Sequence, residues 1–149
     1  AKASHDPDLP SMREALTGEH RDSFFDAMDK EISDLESMNT WKVVPRSSLP
    51  SRTQVVPRTW AFRIKRKPDG SLNKYKSRFC VMGNQMQANV HYHGSTYSPV
   101  CGWPSVRACL MMAASMDLHT RSVDFQNAFC QAKQETPLYI ELPTLYKVR

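Results

Sequence analysis

Between Asp22 and Met38 the apolar residues Phe25, Met28, Ile32, Leu35 and Met38 recur every three or four positions, with Asp26, Asp29, Lys30 and Glu36 among them. That period predicts one amphipathic helix with a single buried stripe. Asn39-Thr40 ends it, Trp41-Lys42-Val43-Val44-Pro45 reads as a short strand, and Ser47-Ser48-Leu49-Pro50-Ser51 as a loop. Farther along the period drops to two. Runs 59–67 and 73–82 flank Pro68-Asp69-Gly70-Ser71, a tight-turn sequence, and so predict a hairpin. On the first run Trp60, Phe62 and Ile64 share a face, with Arg63 and Lys65 opposite. On the second, Tyr75, Phe79 and Val81 share a face, with Lys74, Lys76 and Arg78 opposite. The alternation sorts aromatics beneath the hairpin and cations above it.

Residues 84–102 are polar and irregular. Pro104 then opens a helix running to about Met116, and its Leu110-Met111-Met112-Ala113-Ala114 stretch is apolar nearly all round, which predicts burial. Thr120 to Phe125 reads as a strand, Gln126 to Ala132 as a helical piece and Pro137 to Leu142 as a further strand. Residues 1–12, with Asp6-Pro7-Asp8 and Pro10, read as an extended lead-in. Helix, hairpin, helix, strand, turn, strand is an α+β order.

Composition adds one decisive point. The net charge of +5 divides into ten Asp/Glu against four Lys/Arg in residues 1–36, and five against sixteen thereafter. A basic body behind an acidic leader suits a polyanionic partner or, more plainly, a solvated basic surface. The 149 residues suffice for one domain with a core, and no apolar run approaches the length of a membrane-spanning helix. Cys80, Cys101, Cys109 and Cys130 form no C-x-x-C pair, which favours free, buried thiols in a reducing compartment, hence an intracellular protein, cytoplasmic or nuclear. The spacing of His91 and His93 from Cys101 and Cys109 matches no zinc pattern. A start without methionine is expected of a piece of a longer product.

Candidate chemistry centres on Ser122-Val123-Asp124-Phe125-Gln126-Asn127-Ala128-Phe129. A carboxylate at the end of a buried strand is costly unless it is paired or bound to a cation. Asp124 therefore reads either as a metal ligand or as a helix cap.

The octamer has company. Phe25-Asp26-Ala27-Met28 through Glu31, Asn39-Thr40-Trp41, Lys65 with Asp69-Gly70, Tyr75-Lys76-Ser77-Arg78, and Gly83 with Gln85 follow one another. Then come Tyr97-Ser98-Pro99-Val100, Ser105-Val106-Arg107, Ala113-Ala114, Val123-Asp124, Ala128-Phe129 and Leu138-Tyr139-Ile140-Glu141-Leu142-Pro143. In order and spacing these blocks resemble copia-type retrotransposon reverse transcriptases, RNA-directed DNA polymerases, from about residue 24 to residue 143. The resemblance implies a lead-in over 1–21, a fingers-like segment over 22–102 and the N-terminal part of an incomplete palm sheet over 103–149. It implies that Asp124 is the first catalytic aspartate and, with the backbone carbonyl of Phe125, contacts Mg²⁺, whose paired ions activate the primer hydroxyl. Phe129 matches the bulky residue that excludes a ribose 2′-hydroxyl, with a core position as its other reading. Lys76 and Arg78 resemble residues that meet the incoming deoxynucleoside triphosphate. Arg63, Lys65, Arg66 and Lys67 are expected to track the backbone of an RNA template or RNA–DNA duplex. Trp60 or Tyr75 stacks on a template base or, better, packs under the hairpin. The implied partners are these nucleic acids, the nucleotides and the remainder of the palm within a polyprotein, with no membrane.

Some features depart from the family. Its polymerases carry a Tyr-x-Asp-Asp turn, and no two adjacent aspartates occur here. With one carboxylate the two-metal site is incomplete, so the chain alone is expected to be inactive and to expose apolar surface. Ser77, Cys80 and Met82 replace small, apolar and basic residues, and Asn127 and Cys130 are also unusual. A noncatalytic nucleic-acid-binding remnant of a retroelement is the alternative reading.

Overall fold

A computed structural model describes residues 6–134, 136–144 and 146. The expected helix forms as α2 (Arg21–Ser37), with Phe24, Met28 and Leu35 buried. The buried stripe begins at Phe24, one residue before the expected Phe25. Asn39, in the left-handed region at φ 53°, turns the chain out of the helix, and Thr40 N–H donates to the Leu35 carbonyl at 3.2 Å. This left-handed exit suits asparagine, which tolerates positive φ better than most residues.

The hairpin forms as predicted, from β1 (Arg58–Arg66) and β2 (Leu72–Val81), paired antiparallel with Trp60 opposite Phe79 and Phe62 opposite Ser77. In the turn, Gly70 N–H donates to the Lys67 carbonyl and Lys67 N–H to the Ser71 carbonyl, both at 2.9 Å. Gly70 sits at φ +82°, which a side chain rarely adopts. Asp69 accepts from the Ser71 N–H at 2.8 Å and from its hydroxyl at 2.6 Å. Those bonds hold its carboxyl below the ordinary carboxylate range. A bulge at Asn73 shifts the register between Lys65 and Arg66.

Aromatics from the hairpin's underside meet α2. Phe24 lies edge-on to Phe62 at 5.3 Å and to Tyr75 at 5.0 Å, and Trp60 packs against Phe79 at 5.4 Å. With Ala15 and Met28 these residues make the core, so Trp60 packs rather than stacks on a base. The Ser77 hydroxyl is buried and donates to the Phe24 carbonyl at 3.3 Å, tying β2 to α2.

The lead-in is not simply extended. A helix, α1 (Met12–Thr17), starts at a capping box in which Ser11 and Glu14 each accept from the other's backbone N–H. Ser-x-x-Glu was the signal in the sequence, hidden behind an Asp- and Pro-rich start. Upstream, the Asp8 carbonyl accepts from Ile64 N–H at 2.8 Å, so the lead-in covers part of β1's outer edge.

The second half departs further from expectation. Trp41–Pro45 forms no strand, and Trp41 instead packs against Phe79 and Tyr146. Thr120–Phe125 forms no strand. The run at 137–142 contributes only a bridge between Val56 and Ile140 beside β1. The helical piece after Gln126 is a single 3-10 turn, Ala128–Gln131. Helix α3 (Trp103–Ser115) starts with proline in its first turn, as expected, but is not buried. Met111 is 71% exposed and Trp103 73%, and only Val106 and Ala113 are half-buried. The cysteines are free but not buried: Cys80 and Cys130 are half-buried, Cys101 and Cys109 exposed. The molecule is thus α+β, with its core between α1, α2 and the hairpin. Among the described residues no helix is long and apolar enough to cross a membrane.

Candidate nucleotide and nucleic-acid site

Because side chains alternate across β1 and β2, one face of the hairpin collects Arg63, Lys65, Lys74, Lys76 and Arg78. Register sets Arg63 directly opposite Lys76 and Lys65 directly opposite Lys74. Like charges facing each other across a ladder destabilise it. Lys76 records the cost: burial, then the neighbouring Arg78 and Lys65, push its ammonium below its ordinary value, and Lys74 adds to the effect. A ribbon that opposes two pairs of cations concentrates positive charge on one face.

The basic face forms one wall of a cleft of about 490 Å³. Helix α2 supplies a second wall through Ala27, Lys30, Glu31 and Asp34. This stripe at i, i+3, i+4 and i+7 is offset from the helix's apolar stripe. Asp124, Phe125, Gln126 and Asn127 supply the third. Asn127 adopts left-handed φ 47°, turning the chain into the 3-10 turn behind it.

The candidate residues divide accordingly. Lys65, Lys76, Arg78, Asp124 and Phe125 line the cleft together. Arg63 extends the basic face as the cross-strand neighbour of Lys76. Lys67 sits in the exposed turn. Arg66 does not join them. Its parity is that of Trp60, Phe62 and Ile64, and its Nε–H donates to both Asp8 carboxylate oxygens, at 3.0 and 3.1 Å. Phe129 is 92% exposed and is not among the residues lining the cleft. Asp124 is exposed and ends no strand, so the cost of a buried charge does not apply to it. Sequence reasoning gave no role to Glu31, Asp34 or Lys74, although the polar stripe of α2 was there to read.

These residues do not fit a two-ion magnesium site. Such a site needs several oxygen ligands gathered on the ions. Among the described residues no three Asp, Glu, His or Cys side chains are grouped to hold a metal ion.

Comparison with known proteins decides the family. Residues 38–149 match the model of the family described as reverse transcriptase (RNA-dependent DNA polymerase), three quarters of the chain. The chain belongs to the reverse transcriptase family. It is similar to a retrovirus-related Pol polyprotein from transposon TNT 1-94 of Nicotiana tabacum, 30% identical over 145 residues, 97% of this chain and 11% of that protein. A retrovirus-related Pol polyprotein from transposon RE1 of Arabidopsis thaliana is 34% identical over 117 residues, 78% of this chain and 8% of the relative. An uncharacterized mitochondrial protein of Arabidopsis thaliana, AtMg00820, is 29% identical over 92 residues, 62% of this chain and 52% of its own. No solved structure matches. The chain is a copia-type retrotransposon reverse-transcriptase fragment, spanning about a tenth of the polyproteins it resembles. Reverse transcriptases generally use Mg²⁺, a nucleic-acid template and nucleotide substrates.

Proposed function

We propose that the cleft of this reverse-transcriptase fragment receives the triphosphate of a deoxynucleotide, and that the adjoining basic face follows the backbone of an RNA template or RNA–DNA duplex. The observation that carries this is the meeting of Lys65, Lys76 and Arg78 with Asp124 and Phe125, some fifty residues apart in sequence, around one cleft. Arg78 suits a forked contact to phosphate oxygens and Lys76 a point charge. Arg63, Lys65 and Lys67 serve the backbone contact, which is independent of sequence and sensitive to salt. Arg66, held by Asp8, is withdrawn from this set.

On the same reading residues 22–102 are fingers-like and 103–149 begin the palm. Asp124 and the Phe125 carbonyl belong to the magnesium site of the complete polymerase, and Phe129 guards its sugar pocket. In that enzyme bound Mg²⁺ would supply activation of the primer hydroxyl and stabilisation of the leaving pyrophosphate. With one of the needed carboxylates, this chain positions a nucleotide without incorporating it.

Equilibrium binding of a deoxynucleoside triphosphate to the purified chain tests the assignment. Lys76→Ala and Arg78→Ala each weaken it roughly tenfold, the scale of one charged hydrogen bond. Unchanged affinity in both variants removes the cleft from the account. Incorporation of labelled nucleotide on a primed template by the unaltered chain overturns the claim of inactivity.

A further inference from the structure

Glu31 is singled out by the family-like block in α2 and has no role in the reading above. Its surroundings supply one. Met82 N–H donates to the Pro57 carbonyl across the ladder. Hydrogen-bonded pairs therefore fall at alternate positions, and Phe79, opposite Trp60, lies in a non-hydrogen-bonded pair. The Phe79 N–H thus points away from β1, off the open edge of the hairpin. The Glu31 carboxylate faces that N–H, which favours its charged form. Glu31 lines the same cleft as Lys76 and Arg78, the two cations assigned to phosphate, and both attract its carboxylate.

Capping that N–H needs only an oxygen, which a glutamine also offers. Burial disfavours the charged form of Glu31 more than the Phe79 N–H, Lys76 and Arg78 favour it, and the Asp34 carboxylate nearby adds to the cost. The other groups around the cleft indicate what this carboxylate serves. Lys65, Lys74, Lys76 and Arg78 form a cation cluster with no anion from either strand, and Glu31 attracts Lys76 and Arg78.

We propose that Glu31 is the resident counter-anion of the cleft, and that its carboxylate offsets the charge of Lys76 and Arg78 until a polyphosphate takes over. The inference rests on the phosphate reading of the cleft and adds a competing group within it. Glu31 sets how tightly the empty cleft holds its cations and therefore how strongly a polyphosphate must bind to displace it.

Inorganic tripolyphosphate, titrated into the full chain and its variants at neutral pH and several salt concentrations, tests this. Glu31→Gln keeps the edge cap and removes the charge. It binds tripolyphosphate about threefold more tightly at low salt, and the gain fades as salt is added, as expected for one partly screened charge. Hydrogen exchange at the Phe79 amide stays slow in Glu31→Gln and quickens in Glu31→Ala, whose fold is checked by circular dichroism. Equal affinity in Glu31→Gln and the unaltered chain overturns the counter-anion role and leaves a structural cap. Weaker binding in Glu31→Gln overturns it as well, since the charge then assists the anion. No binding by the unaltered chain sinks the phosphate reading itself, a result distinct from either of these.

Discussion

The two halves of the chain treat apolar residues in opposite ways. In α2 and the hairpin a one-sided pattern finds its complement nearby: Phe24, Met28, Trp60 and Phe62 bury one another. In α3 the apolar residues surround the helix, and Leu110, Met111 and Met112, with Met116 just beyond its end, all stay exposed. Val123, Phe125 and Phe129 add to that exposed surface. The lesson concerns what a hydrophobic pattern encodes. A stripe names the face that packs and can be satisfied by a neighbouring hairpin. An all-round apolar helix demands cover on every side, and the described residues reach no further than half-burying Val106 and Ala113.

The sharpest way to break this comparison is to truncate one side chain in each half. Phe24→Ala removes a ring that is 2% exposed and touches two other aromatics. It costs about 3–5 kcal/mol in urea denaturation, enough to unfold a marginal domain. Met112→Ala changes stability by less than about 0.5 kcal/mol, as surface substitutions do. Equal costs at the two positions would mean that α3 packs in solution.

A smaller effect is electrostatic and confined to the packed half. Burial holds the Glu31 carboxyl above its ordinary value of 4.5. Across the window from that value up to its raised one, the folded chain binds more protons than the unfolded chain. The contribution of Glu31 to stability therefore falls as pH rises through the window. Glu31→Gln removes this slope, so its urea midpoint relative to the unaltered chain rises as pH increases above 4.5 through that window. A difference independent of pH would show that burial does not perturb this group.

What was legible in the sequence follows the same division. The hairpin, its turn, the segregation of aromatics from cations and helix α2 were readable because each is specified locally, by period and by turn chemistry. The cleft was half-readable: alternation placed Lys76 and Arg78 on one face, but only the fold brings Asp124 beside them. Arg66 reads as one of a basic run with its neighbours, but its parity puts it on the face of Ile64, where it pairs with Asp8. The strands expected at 120–125 and 137–142 failed for a physical reason. A strand exists through its ladder, and among the described residues the first run has no partner and the second meets only Val56, just ahead of β1, at one bridge. The Ser11–Glu14 box was overlooked beside prolines that suggested extended chain.

The most direct test of the account is the salt dependence of RNA–DNA duplex binding, followed by fluorescence anisotropy. Three forms are compared: the unaltered chain, the Arg63→Ala/Lys65→Ala double variant, and Arg66→Ala. If the basic face of the hairpin follows the phosphate backbone, the double variant loses roughly 1.8 from the slope of log affinity against log salt, about 0.9 for each contact. Arg66→Ala leaves the slope unchanged, because that guanidinium is already paired with Asp8 on the other face. A slope indifferent to the double variant, or one that Arg66→Ala lowers as much, would contradict the claim that this face is where the chain meets nucleic acid.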